Sequence, residues 1–258
     1  MKIKSYLVNL KESTARKERT LQEISGYSLL DVEVVEAING KNLSEEELDL
    51  LFDRERFIRK YSRKPAAGEI GCTLSHRECY RRLLDSDNEY ALILEDDVCF
   101  IYPDDVEFIL KGAVGILSAD KSCIITLSRY HCYYPKVLHS LSGYSFYRIW
   151  GAYGTCAYLI NRCAAKKLLS IDKPFLVADD FEYMHLNGIY IQGISPFLAL
   201  DASTMQSISS EIMDRDKKDN IKIPFKYRLK NMILTKVRVG LIKLNILKLK
   251  AQINLNTR

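Results

Sequence analysis

The sequence predicts an α/β protein, a mainly parallel sheet flanked by helices on both faces. Three observations carry that prediction. Short apolar runs at 3–9, 31–38 and 90–94 alternate with longer segments of helical character, the order that builds parallel strands joined by crossover helices. The 258 residues are 47% hydrophobic and 28% charged, enough to bury a sizeable core. No run of about 18 uncharged apolar residues occurs, so a membrane-spanning helix is not expected.

The first strand is IKSYLVN (3–9). Ser13 is placed to cap a helix over 14–25 whose polar face carries Arg16, Lys17, Arg19 and Glu23. DVEVVEAI (31–38) reads as the second strand, closed by the turn pair Asn39-Gly40. Ser44 with Glu47 is a capping box that opens a helix to residue 59, followed by a basic loop over 59–71 and a helix over 72–86. The strand ALIL then runs straight into Glu95-Asp96-Asp97. Pro103 starts a helix to residue 118, and CIITL (123–127) is the next strand. The tyrosine-rich stretch 128–150 reads as loops with one strand at YSFYRI, ending on the lone Trp150. GTCAYLIN (154–161) is a strand, RCAAKKLLS (162–170) and ADDFEYMHL (178–186) are helices, and IYIQGISPFLAL (189–200) closes the body.

The net charge of +5 conceals an asymmetry. Residues 217–258 hold 12 Lys or Arg against one acid, Asp219, while the rest of the chain is net negative. The expected organisation is therefore a body over 1–216 and a basic helical tail over 217–258. In the tail Tyr227, Met232, Ile233, Val237, Leu241 and Leu244 recur at helical spacing. A basic amphipathic helix reads as a segment adsorbed to an anionic membrane surface, or as one packed on the body. With no stacking aromatics and no recognisable nucleic-acid module, no nucleic-acid partner is expected. The start of the chain has too short an apolar segment for a secretory signal, so the expected location is cytoplasmic, at the inner face of the membrane. The seven cysteines are odd in number and form no C-x-x-C pair, which points to free thiols; Cys72 and Cys79 are expected to pack.

Three consecutive acids at a strand end need a reason, because adjacent carboxylates repel. In an open α/β sheet, ligands bind beyond the carboxyl ends of the strands. Alternation along an extended segment lets Glu95 and Asp97 face the same way, giving two hard oxygen ligands suited to Mg²⁺ or Mn²⁺. Read from the residues alone, a solvated acidic turn is the simpler explanation of the triplet.

The surrounding blocks carry a resemblance. GEIGCTLSHRECYRRLLDSDNEYALILEDDV (68–98) resembles the signature block of glycosyltransferase family 25, with its Gly-Cys-x-x-Ser-His segment and a strand ending in L-E-D-D. YLVNLKESTARKERT (6–20) resembles the family's opening strand and Arg-bearing helix, and GAYGTCAYLINRCAAKKLL (151–169) its later strand–helix pair. The likeness spans residues 3–212 and excludes the tail. The family includes bacterial lipooligosaccharide galactosyltransferases and animal collagen galactosyltransferases. The resemblance implies a GT-A type fold, a UDP-sugar donor, an acid-x-acid metal motif, and transfer of galactose, or else glucose, with inversion to a saccharide acceptor that is lipid-linked in the bacterial case.

On that reading Asp97 and Glu95 ligate Mn²⁺ or Mg²⁺, with Glu95 and Asp96 supporting the donor. Asn9, Ser13 and Arg16 at the first strand end, and Ser75 and His76 in the signature block, are expected donor contacts. An inverting transfer needs a base for the acceptor hydroxyl. Asp180 is expected first and Asp179 next, against the alternative that these acids merely favour a helix N-terminus. Trp150, Tyr153, Gly154 and His185, with Gly151 and Thr155 nearby, are expected around the sugar, His185 as a further metal ligand; Trp150 reads equally as a core anchor. The competing functions are a metal-dependent phosphohydrolase, which lacks an Asp-x-Asp at the first strand, and an inactive relative acting as a membrane-associated binding module.

Overall fold

In the computed structural model, residues 2–117 and 120–202 are described, together with positions 233, 236, 250 and 251. Most of the tail, its expected amphipathic helix included, therefore lies outside the described residues. Among the described residues no helix is long and apolar enough to cross a membrane.

A nine-stranded sheet runs through the molecule. Near one edge lies β1 (Ile3–Asn9), paired in parallel with both β2 (Leu30–Glu36) and β3 (Tyr90–Glu95). A small separate ribbon pairs β4 (Val98–Phe100) with β10 (Ala199–Asp201). In the main sheet β8 (Ala157–Asn161) lies antiparallel between β3 and β5 (Cys123–Thr126), and β9 (Tyr190–Ser195) continues parallel to β5. The hairpin of β6 (Tyr130–Leu141) and β7 (Tyr144–Ala152) follows. At the far edge β11 (Lys250–Ala251), from the tail, sets antiparallel against Cys132 and Tyr133. The order is β11-β6-β7-β9-β5-β8-β3-β1-β2. Six strands thus share one direction, and β7, β8 and β11 oppose them, so the sheet is α/β in class with reversed members inserted.

Alternation on each strand feeds two cores. Ile3, Leu7, Leu92 and Leu94 face one side and meet Ile24 of α1 (Thr14–Ile24) and Ile109 and Leu110 of α5 (Val106–Ile116). Tyr6, Val8, Ala91 and Ile93 face the other and meet three further helices. These are α4 (Ala67–Asp85), which contributes Tyr80 and Leu83, α6 (Arg162–Leu169), with Ala164 and Leu168, and α7 (Phe181–Leu186), with Phe181 and Met184. Leu92, Ile93 and Leu94 have no exposed surface, and each contributes about 1.5–3 kcal/mol of burial that fixes where β3 ends.

Three elements differ from the sequence expectation. The helix opened by Ser44 does carry its capping box, with Ser44 N to Glu47 at 2.8 Å and Glu47 N to Ser44 Oγ at 3.2 Å. It breaks, however, into α2 (Glu45–Leu51) and α3 (Arg54–Tyr61), because Phe52 turns extended and Asp53 recaps by accepting from Arg56 N at 2.8 Å. A straight helix would set residues 52 and 57 about 140° apart. The break lets Phe52 and Phe57 share a third core with Leu48, Ile70 and Leu74. Helix α4 starts at Ala67 rather than at 72, since the Glu69 carboxylate accepts from Ala66 N at 2.9 Å and the glycines at 68 and 71 are helical. Finally, 130–152 is one long hairpin turning at Ser142-Gly143 (φ 45° and 85°), the two left-handed residues of a tight turn. Pro135 disguises it, sitting where the register shifts between Tyr133 and Val137.

Candidate active site

β1, β2 and β3 end at one edge of the sheet, where Asn9, Glu36 and Glu95 emerge together. Asp96 turns inward there. Its carboxylate takes Arg16 Nη2 at 2.5 Å and Asn9 Nδ2 at 2.6 Å, and its carbonyl takes Thr20 Oγ1 at 2.7 Å. Asn9 donates also to Ser13 O at 3.0 Å, and the Ser13 hydroxyl makes no capping bond to α1. Asn9, expected with Ser13 as a nucleotide contact, thus bonds Asp96 and, through Ser13 O, ties it to the start of α1.

Asp97 is placed differently. Its Oδ2 lies 3.3 Å from Arg16, while its Oδ1 is buried with no hydrogen-bond partner. Burial first, then the charges of Glu95, Asp96 and Asp201, push its carboxyl up to about 7 against the pull of Arg16. Asp201 arrives through the β4–β10 ribbon, where Ala202 N donates to Asp97 O at 2.8 Å. Sequence reasoning passed over Asp201, although PFLALD repeats the pattern of ALILE, an apolar run stopping on an acid. A buried carboxylate oxygen without a donor, among further acids, fits a divalent cation.

Glu95 is held by donors. Thr155 Oγ1 donates to its Oε1, and His76 Nε2 lies 3.2 Å from the same oxygen. Burial works to raise its carboxyl, but His76 and Thr155 prevail and hold it below the ordinary carboxylate range. His76 is itself buried, with Nδ1 2.8 Å from Tyr158 OH, which lies 2.9 Å from Tyr80 OH. Its Nε2–H thus faces the Glu95 carboxylate, and its Nδ1 faces the Tyr158 hydroxyl. The Ser75 hydroxyl accepts from Ile38 N at 2.8 Å and donates to Gly71 O at 2.7 Å, so it clamps the chain leaving β2 onto α4.

Two cavities meet at this edge. One of about 110 Å³ is lined by Leu10, Ile38, Asn39, Ser75, His76 and Asp96, over the ends of β1 and β2. The other, of about 80 Å³, is lined by Glu69, Gly154, Thr155, Val177 and Asp179. Cys72 and Glu95 line both, so Cys72, expected only to pack, stands in the shared wall; Cys79 is fully buried, as expected. None of the seven cysteines is paired in a disulfide.

The two candidate bases, Asp180 and Asp179, stand in different surroundings. Asp180 caps α7 by accepting from Tyr183 N at 2.9 Å, and its other oxygen accepts from Tyr61 OH and pairs with Lys60 at 3.1 Å. Asp179 faces the second cavity and accepts from Gly154 N at 3.1 Å, where Gly154 (φ 68°) takes the left-handed turn that glycine favours. Glu69, which sequence reasoning did not single out, completes the acidic lining and is gripped by both Arg63 nitrogens at 2.6 and 2.7 Å. Trp150 and His185 come together with each other, ring centroids 5.1 Å apart beside Tyr134, and line neither cavity. Tyr153 is exposed, its backbone N bonded to Arg129 O. The aromatic group expected around the sugar is thus divided, and only Gly154 and Thr155 reach Glu95 and Asp179.

A mixed, mostly parallel sheet flanked by helices, with acids just beyond an inner strand and cavities on either side of them, defines an α/β protein with its candidate site at the strand ends. A family model described as glycosyltransferase family 25 (LPS biosynthesis protein) matches residues 2–183. The chain belongs to glycosyltransferase family 25. It is 35% identical over 98 residues to procollagen galactosyltransferase 2 of Homo sapiens, covering 37% of this chain and 16% of that protein. It is 28% identical over 174 residues to a glycosyltransferase 25 family member of Aedes aegypti, covering 66% and 28%. The matched stretches thus span less than a third of those relatives' length. Among solved structures, CMP:2-keto-3-deoxy-manno-octonic acid synthetase complexed with CTP aligns with a TM-score of 0.41 at 12% identity, covering 80% of this chain and 96% of that one. The glycosyltransferase GlyE of Streptococcus pneumoniae aligns with a TM-score of 0.37 at 9% identity, covering 75% and 45%.

Proposed function

We propose that this chain is a metal-dependent, inverting hexosyltransferase that moves galactose, with glucose as the alternative sugar, from a UDP donor to a lipooligosaccharide-type acceptor. The observation that carries the reading is the unpartnered, buried Asp97 Oδ1 beside Arg16, in the acidic edge that Glu95 shares with both cavities. Asp97, supported by Glu95, would hold Mn²⁺ or Mg²⁺, whose chemistry there is to offset charge on the departing diphosphate. Arg16 adds a fixed positive charge on the same side. The first cavity, with apolar Leu10 and Ile38 beside Asn39, suits a nucleoside. Asp179 in the second cavity accepts the acceptor hydroxyl's proton as that oxygen bonds to the anomeric carbon and the carbon–UDP bond breaks. With donor and acceptor on opposite sides of Glu95, attack comes from the face away from UDP, which inverts the centre. The likeness to procollagen galactosyltransferase 2 supports galactose, and membership of a family of LPS biosynthesis proteins supports a lipopolysaccharide-type acceptor.

The test is a screen of UDP-sugars for hydrolysis or transfer with and without Mn²⁺; no turnover with any of them would overturn the reading. In the same assay Asp179→Asn should lower kcat by about 10²–10⁴-fold with its melting temperature unchanged, the range expected for a lost general base. Asp180→Ala should do the opposite. Loss of a helix cap costs about 1 kcal/mol, with the Lys60 pair adding to it, while kcat holds. Equal kcat losses in the two variants would place the base elsewhere.

The basic tail supports adsorption to an anionic membrane, which would bring the enzyme to a lipid-linked acceptor at the cytoplasmic face. The full chain should sediment with vesicles containing phosphatidylglycerol and not with pure phosphatidylcholine; equal partition into both would sink the idea.

A further inference from the structure

We propose that Cys72, His76 and Glu95 form a binding site for a thiophilic divalent cation, Zn²⁺ by the chemistry of its donors, which shares Glu95 with the cation position at Asp97. The positions come from the fold. Cys72 and His76 are four residues apart on α4 and so share one of its faces, and the end of β3 delivers Glu95 to that face. One sulfur, one ring nitrogen and one carboxylate oxygen from these residues lie within 4.8 Å of one another. Among the described residues this is the one group of three such side chains so closely placed, and Asp97 is outside it.

The donor set decides the metal. Mg²⁺ and Mn²⁺ prefer all-oxygen shells, whereas sulfur, imidazole and a single carboxylate suit Zn²⁺. The outer shell is also in place. A metal-bound histidine needs its second nitrogen held, and His76 Nδ1 is held at 2.8 Å by Tyr158 OH, which Tyr80 OH backs at 2.9 Å. Thr155 Oγ1 orients Glu95. Bonds of about 2.0–2.3 Å require the donors to draw together by about 1 Å, within reach of side-chain rotation. On binding, the His76–Glu95 hydrogen bond is exchanged for two bonds to the cation. The Cys72 thiol gives its proton to solvent as the sulfur–metal bond forms, and the His76 proton moves from Nε2 to Nδ1, where Tyr158 OH then accepts its hydrogen bond. The fourth position opens where the two cavities meet, because Cys72 and Glu95 line both.

One consequence rests on the transferase reading: a cation here withdraws Glu95 and fills the shared wall, so Zn²⁺ inhibits where Mn²⁺ supports turnover. Binding itself is tested without turnover. Metal-free full-length protein is titrated with Cd²⁺, followed by its thiolate charge-transfer absorption, and with Zn²⁺ by calorimetry. One equivalent should bind with a Cys72-dependent band. The band should vanish in Cys72→Ala, and His76→Gln should weaken affinity at least about 10-fold while keeping it. Asp97→Asn should keep the Cys72-dependent band, because Asp97 lies outside the three donors. X-ray absorption of Zn²⁺-loaded wild type should give one sulfur with nitrogen and oxygen neighbours, a readout that needs no variant to fold. A shell without sulfur, a band surviving Cys72→Ala, or no stoichiometric binding overturns the proposal. If no UDP-sugar is turned over, these binding results still decide it, and only the inhibitory consequence falls with the transferase reading.

Discussion

Asp97→Asn should sharply lower metal-dependent turnover and at the same time make the metal-free protein more stable. The two effects have one cause. Asp97 is a largely buried carboxyl with a buried oxygen that nothing in the fold satisfies, and burial together with Glu95, Asp96 and Asp201 raises it to about 7 from an ordinary 3.8. A raised acid binds its proton more tightly in the native state than in the unfolded chain. Stability of the metal-free protein therefore falls as pH rises from about 4 to about 7, and the full cost, on the order of a few kcal/mol, is present above that window. Asparagine removes the buried charge while Arg16 keeps Asp96 as its partner at 2.5 Å. At about pH 8 the variant should melt about 5–10 °C higher than metal-free wild type, with a flatter pH dependence of melting. Mn²⁺ should raise the wild-type melting temperature and leave that of the variant unmoved. Turnover should drop by about 10²–10³-fold, the loss typical of removing one electrostatic stabiliser. A variant that melts lower than wild type at every pH would show that Asp97 is a structural acid.

Much of this site could be read from residues in order. ALILEDDV announced both a buried strand and its abrupt acidic end, and the strand's burial on both faces is what delivers the acids to the sheet edge. What could not be read was the division of labour among neighbours. Glu95, Asp96 and Asp97 are chemically alike in sequence, yet one is hydrogen-bonded by a helix histidine, one is consumed in anchoring α1, and one is left unsatisfied. Those fates depend on Thr155, His76, Asn9 and Asp201, which come from four other segments. Asp179 and Asp180 differ in the same way. The acid just before the helix became its cap, as local capping chemistry favours, and the one before that was left to face the cavity.

The fold was legible where periodicity was unbroken and obscure where a residue served a contact rather than a local preference. Pro135 hid a hairpin because its missing donor falls at a register shift that only the pairing with β7 defines. Phe52 hid a helix break because its reason is the distant ring of Phe57. The glycines of GEIGC argued for a loop on propensity alone, yet both lie inside α4.

Gly71 makes that point testable, with a sign that propensity would get wrong. A methyl group on Gly71 would stand 2.3 Å from Ile38 O and 2.7 Å from Gly40 N, both backbone atoms that cannot rotate aside. The approach is mutual, since a methyl on Gly40 would lie 1.8 Å from Ala67 O. Helix and chain touch backbone to backbone here, and Ser75 locks the contact through Ile38 N. The same stretch, Ile38 to Gly40, lines the first cavity, so the close approach also shapes the proposed donor site. At Gly68, one turn earlier on the same helix, an added methyl would meet nothing within 4 Å. Alanine is the better helix former by about 1 kcal/mol, so Gly68→Ala should raise the melting temperature slightly. Gly71→Ala gains the same propensity but must push Ile38–Gly40 off α4, at about 1–3 kcal/mol or more for overpacking. Its melting temperature should fall by several degrees, about 2–4 °C for each kcal/mol in a body of this size. Donor affinity should fall with it, because the cavity wall is the part displaced. Equal and positive shifts in the two variants would mean that the contact yields freely and that the glycine is not there to admit the chain.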